Sequence, residues 1–288
     1  MKKSFLTLAF TVSALALVSA CTSSSEGPRL VSDEVIAAQR QMLAKNTAGA
    51  GFGPQSPRDI GAVAGSNRRA FGTAPGHTGM NLCNIHFHES AEHKGGEFTT
   101  YAGNGDGRGY GTGFKYNGKL SNAELADYGH KVGMSSHGDL QPGDTIEVHY
   151  VYTTAKVEPG PTLNSCLSEA IGNPQLRVET QVYVLVNDEN AGDFVKLMHH
   201  EVVNGLHQAI HIPTDTGTPV QYAGSTTGPD YNEIGSPFQV TWSVRPQVAK
   251  VSIGSVDAWL QGNTFDEHYA HGVRNLVLNP DLLSEIQK

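Results

Sequence analysis

The chain has 288 residues, 38% hydrophobic and 17% charged, with a formal net charge of −8 at pH 7. That is enough apolar material to bury a sizeable core, and 33 glycines point to many turns in a β-rich fold, organised as one domain rather than two. The acidic balance argues against nucleic acid as a partner.

In chain order, residues 1–20 read as an export signal: Lys2 and Lys3, an apolar run from Phe5 to Val18, and small residues before Cys21. The run is too short to favour a membrane span. Val18 to Cys21, VSAC, resembles a bacterial lipobox, which implies a lipid on Cys21, a mature N-terminus there, and a membrane anchor; the alternative is plain secretion. Residues 21–30 then form a flexible tether. Thr22 stands where an aspartate would signal inner-membrane retention, so by analogy the expected location is the outer membrane, periplasmic or surface-facing. Loss of residues 1–20 removes two lysines and no acid, taking the net charge from −8 to −10. The remaining 31–288 are expected to form the single domain.

Val31 to Asn46 has a helical rhythm in Val35, Ile36, Gln39, Met42 and Leu43, with Ser32 or Asp33 as cap. Gly51 to Ile60, GFGPQSPRDI, is a loop by its glycine and proline content. Asn81 to Phe98, NLCNIHFHESAEHKGGEF, is the richest stretch. On a strand alternate side chains share a face, so His86 and His88 project together while Phe87 turns away. Two imidazoles on one face make half a metal site, and catalytic zinc takes three protein ligands and keeps a fourth position open. His149 is the best third ligand. It lies in Thr145 to Tyr152, TIEVHYVY, which alternates as a strand with Glu147, His149 and Val151 on one face, after a QPGD turn. Ordinary polar residues are the bland alternative.

Gly103 to Gly113 superficially resembles a phosphate loop but lacks GK[ST] and a following helix, so a mobile loop is expected. With Cys21 lipidated, Cys83 and Cys166 remain, and outside the cytoplasm they can pair in one way. The bridge closes a loop of more than eighty residues, worth on the order of 4 kcal/mol in the chain-entropy model. Cys83 as a thiolate ligand is the lesser alternative, because in a regular strand it faces away from His86 and His88. His199, His200, His207 and His211 are either surface histidines or a subsidiary metal site. Leu176 to Val186 and Phe238 to Val244 alternate as strands, and Ser255 to Gln261 suggests a short helix.

From Gly51 to Leu283 the chain resembles carbonic anhydrases, the delta class and more distantly the alpha class. QSPRDI at Gln55 to Ile60, the HxH of His86 and His88, Glu92 with His93, His149, Gln181 to Asn190, YAGSTTGP at Tyr222 to Pro229, and VTW at Val240 to Trp242 follow the family order. Two features depart from the alpha pattern. Glu92 follows His88 by only four positions and His149 lies far downstream, where CxxHxHxxxEH at Cys83 to His93 is similar to the delta class; and TTGP lacks a leucine and a proline, leaving the register of Thr226 against Thr227 open.

The resemblance implies a mainly β fold with short helices (α+β), built on a large, mostly antiparallel twisted sheet with zinc, or another divalent metal, at the base of a cleft. It also implies reversible hydration of carbon dioxide to bicarbonate by a zinc-bound hydroxide. Three neutral imidazoles leave the zinc doubly positive and its water with a pKa near 7, a value established for carbonic anhydrase itself. Thr226 would accept the hydroxide's hydrogen bond and donate to Glu92, and His77 would carry protons away. Cupins offer a rival arrangement, with His86, His88, Glu92 and His149 all ligands in a β-barrel; a non-catalytic metal-binding lipoprotein is the other alternative.

Overall fold

A computed structural model describes residues 30–226 and 233–287. The export signal, the lipidation site Cys21, the tether up to residue 29, and Thr227 with the following GP lie outside the described residues. Among the described residues no helix is long and apolar enough to cross a membrane.

One six-stranded sheet carries the fold. Its strands are β1 (Asn81–Glu89), β2 (Thr145–Thr153), β3 (Leu176–Val186), β4 (Val220–Ser225), β5 (Gln239–Val244) and β6 (Ala249–Ser252). They run in the order β1-β2-β3-β5-β4, and β6 also pairs with β3. Antiparallel pairing joins β1 to β2, β2 to β3 and β4 to β5. The mainly antiparallel expectation is met, with a refinement: β5 and β6 run parallel to β3, sharing one of its edges along Leu176–Thr180 and Tyr183–Val186 in turn. After leaving β3 at Val186 the chain re-enters the sheet at Val220 as β4, and because β5 pairs antiparallel with β4 it lies parallel to β3.

Both faces of the sheet are covered, so β2 and β3 are buried along their whole length. On one face Ile85, Phe87, Val148 and Tyr150 pack with Phe194 of α2 (Phe194–Leu197) and Trp259 of α3 (Ile253–Leu260). On the other, Val151, Val178, Val240 and Trp242 pack with the two cysteines. The alternation of TIEVHYVY therefore sorts side chains as expected, Tyr150 to the helical side and His149 to the other. The N-terminal helix α1 (Asp33–Thr47) has Asp33 and Glu34 in its first turn and Lys45 in its last, complementing its dipole. It buries Leu43 against Val277, Leu282 and Leu283.

Two local expectations change. The pairing of β1 with β2 shifts register between Leu82 and Asn84, a β-bulge at Cys83. A bulge resets the alternation, so Cys83 does not face away from the histidine side as a regular strand would dictate. It packs with Val151 and forms the expected disulfide with Cys166, which removes it as a thiolate ligand. The glycine loop 103–113 is tied down rather than free: Val31 N and Gln39 Nε2 donate to Gly105 O and Gly107 O, at 3.0 and 2.7 Å, and Val273 N donates to Gly109 O at 2.8 Å. Gly109 has φ +106°, and a Cβ there would lie 2.5 Å from Val273 O, so only glycine permits this approach.

Candidate metal centre

The register of β1 and β2 sets His86 directly opposite His149, with His88 two residues further along the same face. Ligand nitrogens of His86, His88 and His149 all lie within 4.8 Å of one another, and the three residues line a cavity of about 370 Å³. His149 Nδ1 and His86 Nε2 are 3.2 Å apart.

Hydrogen bonds behind the rings decide which nitrogens carry protons. Asn84 Nδ2 donates to Gly160 O at 3.0 Å, which leaves Asn84 Oδ1 as the acceptor 2.6 Å from His86 Nδ1. His88 Nδ1 donates to Gly272 O at 2.8 Å. His149 Nε2 donates to Glu147 Oε1 at 2.7 Å. Each ring thus spends its N–H on a fixed acceptor, and three lone pairs converge: Nε2 of His86, Nε2 of His88 and Nδ1 of His149. His88 Nε2 is buried with no hydrogen-bond partner among the described residues. Two lone pairs 3.2 Å apart repel unless a cation lies between them. Tetrahedral zinc with Zn–N near 2.0–2.1 Å places its ligand atoms about 3.3 Å apart. The donor set fits such an ion.

Electrostatics agree. Burial, ahead of the neighbouring imidazoles, holds His86 well below the usual imidazole range. Burial also pulls His88 down to about 4, against the opposing pull of Glu92. Both rings are neutral at pH 7 with lone pairs available. Glu147 is fully buried; burial alone would raise its carboxyl, but His93 and His149 outweigh that and hold it well below the usual carboxylate range. Its Oε1 accepts from both His149 Nε2 and His93 Nδ1, each at 2.7 Å, and Oε2 accepts from the His93 backbone N–H at 3.1 Å. His93 Nε2 meets the Tyr222 hydroxyl at 2.6 Å. His93, Glu147 and His149 also meet the spacing of a metal group, but their atoms are already spent on one another in this chain of hydrogen bonds.

Glu92 stands beside the triad and outside it. Its Oε1 accepts from Arg274 N at 3.0 Å, and its Oε2 is 4.0 Å from His88 Nε2. The cupin arrangement needs Glu92 as a fourth ligand inside a closed barrel; here it is no part of the converging group and the sheet is open. Thr226 lines the same cavity. His77 does not suit the shuttle role expected of it. Its ring packs on Tyr152 and its Nδ1 is 3.4 Å from Glu179 Oε1, on the opposite face of the sheet from His149. The subsidiary histidines divide into two pairs, His199 with His211 and His200 with His207, with ring centroids 6.3 and 6.0 Å apart. Among the described residues no three-ligand group forms there.

The cavity wall is chemically divided. Val151, Val178, Val240, Trp242 and Leu163 form its apolar part, and Asp266, Glu267, His268 and His271 supply polar groups from one C-terminal segment. His271 packs its ring 5.5 Å from that of His86, and its Nε2 meets Glu267 Oε2 at 2.6 Å. Sequence reasoning missed Asn84, Glu147 in its role behind His149, and the whole 265–274 segment. The first two had a signal, since each precedes a triad histidine by two on the same strand. The third had none, because its placement depends on the β-bridge between His88 and His271.

The delta carbonic anhydrase family model matches residues 77–255, more than half of the chain and all three converging histidines. The chain belongs to the delta carbonic anhydrase family. Among solved structures, the Photobacterium profundum alpha-carbonic anhydrase is similar at 14% identity, with 82% of this chain and 93% of that one covered and a TM-score of 0.28. A hyperthermostable carbonic anhydrase identified from an active hydrothermal vent chimney is similar at 12% identity, covering 80% and 90%, with a TM-score of 0.26. At these scores the likeness assigns no residue. No curated protein matches the chain. As a member of the family the protein is a carbonic anhydrase, and the triad lines the 370 Å³ cavity.

Glu147→Ala leaves two buried imidazole N–H groups without their acceptor. It should destabilise the fold by about 3–5 kcal/mol, the usual result of removing one partner of a buried ionic group, measured as a fall in the urea unfolding midpoint at unchanged m-value.

Proposed function

We propose that the protein hydrates carbon dioxide reversibly with a zinc ion held by His86, His88 and His149. The observation that carries this reading is the convergence of three tautomer-fixed lone pairs in the cavity lining. Zinc bound there would supply a water ionised near neutral pH and a positive centre for the developing bicarbonate. The chain's own residues do the rest. Asn84, Gly272 and Glu147 hold the three rings in one tautomer and orientation. The apolar wall of Val151, Val178 and Trp242 receives a small nonpolar substrate beside the site and thins the water around it.

Glu92 can only accept, so it fixes the Thr226 hydroxyl as a donor toward it. That leaves the threonine oxygen to accept a hydrogen bond from the reacting water, which aims the water's lone pair at the substrate carbon. Thr226 shares the cavity with Glu92, which supports the pairing. Removal of the proton falls to His268 instead of His77. Its side chain lines the cavity and is 62% exposed, with Nε2 3.1 Å from Asp266 Oδ1. An imidazole at that boundary can take a proton from cavity water and release it to solvent. Lipid on Cys21, read from VSAC, would hold the domain at the cell envelope by the tether.

Protein lacking residues 1–21 should carry close to one zinc per chain and hydrate carbon dioxide. Tight metal binding with no hydration would leave a metal-binding lipoprotein instead. Glu92→Gln should keep that zinc stoichiometry while turnover falls about 10–100-fold; a metal-free Glu92→Gln would make Glu92 a ligand. For the proton path, His268→Ala should lower turnover in dilute buffer by about 100-fold, the low end of general acid–base contributions. Added imidazole should restore it, and His77→Ala should do nothing. Full-length Cys21→Ser should move from the membrane to the soluble fraction.

A further inference from the structure

The segment between β2 and β3 has a structural tie to the triad that the hydration chemistry does not explain. Residues 160–166 form part of the cavity wall through Pro161, Thr162 and Leu163. They are joined to the bulge of β1 three times in succession. Gly160 N donates to Cys83 O at 3.0 Å, Asn84 Nδ2 donates to Gly160 O at 3.0 Å, and Cys166 is bonded to Cys83. The same Asn84 amide turns its oxygen to His86 Nδ1 at 2.6 Å. One side chain, 1% exposed, therefore has its nitrogen on the residue before the wall-forming Pro161 and its oxygen on a triad histidine.

Without the covalent bond, the position of Gly160 O depends on hydrogen bonds in a segment with no regular structure beyond the short 3₁₀ turn Leu163–Cys166. If Gly160 O withdraws, the Asn84 amide loses the partner that tells its nitrogen from its oxygen and can rotate. An inverted amide presents N–H to His86 Nδ1. That forces the ring proton to Nε2, where it would occupy the lone pair needed for a metal.

We propose that Asn84 is a positioning residue that couples the Cys83–Cys166 bridge to metal retention: the bridge holds Gly160 O, Gly160 O orients the Asn84 amide, and the amide fixes the tautomer of His86. The proposal rests on the reading of His86 as a metal ligand. The protein is thereby built to retain metal firmly when oxidised and loosely when reduced.

The test compares Asn84→Asp with the parent. Aspartate keeps an acceptor for His86 Nδ1 but cannot donate to Gly160 O, and both its oxygens accept, so rotation no longer changes the tautomer. Zinc release to an excess of chelator is followed in oxidised protein and after a phosphine reductant has converted the bridge to two thiols, itself taking up oxygen from water to become phosphine oxide. The cobalt-loaded visible spectrum is recorded in parallel. Reduction should speed release about 10–100-fold in the parent and shift its cobalt spectrum. In Asn84→Asp it should change release by less than about 2-fold and leave the spectrum in place. Equal acceleration in both proteins, including any that follows general unfolding on reduction, overturns the coupling, as does no acceleration in the parent. Oxidised parent that binds no zinc at all overturns the ligand reading as well, which separates the two failures.

Discussion

Three imidazole lone pairs point at one place, and most of the architecture around them exists to keep them there. Left to themselves, neutral histidines 3.2 Å apart at their ring nitrogens would exchange a proton or turn away. They do neither, because each outer nitrogen is committed to an acceptor that cannot give a proton back: a side-chain amide oxygen, a backbone carbonyl and a carboxylate held ionised. The acceptors come from three separated parts of the chain, so the tautomers of the triad are a property of the tertiary structure.

Glu147 shows how costly such a fixture is. A carboxylate with no exposure is sustained by the two imidazoles and the backbone N–H that meet it, and its neighbour His93 is in turn capped by Tyr222. This chain of groups crosses from β2 through the 90–93 turn to β4. It makes the placement of His149 depend on strands that carry no triad residue. Burial acts on the triad in the opposite sense, since it keeps His86 and His88 neutral and so available as ligands. The same low-dielectric setting thus demands a charge partner for the carboxylate and removes the charge from the rings.

The bulge at Cys83 is the second fixture. By adding one residue to β1 it brings Cys83 and Asn84 both toward the cavity side. The disulfide and the histidine acceptor then arise from adjacent residues. A regular strand could not have presented the two together.

Much was legible in the sequence because it depends on local periodicity. HxH on one strand and ExH on another gave the shared face of His86, His88, Glu147 and His149, and Leu176–Val186 was delimited by its alternation alone. The helix, expected over Val31 to Asn46 and found over Asp33–Thr47, and the pairing of Cys83 with Cys166 were equally accessible. Other features were decided only by long-range packing. The parallel pairing of β3 with β5 and β6 depends on where the chain re-enters the sheet after leaving β3 at Val186. The displacement of His77 to the far face depends on which side of the sheet Tyr152 and Glu179 occupy. His268, His271 and the Gly272 carbonyl reach the site through a β-bridge that no local pattern announces. Side-chain periodicity encodes which face a residue takes; it does not encode which distant backbone will supply the acceptor behind it.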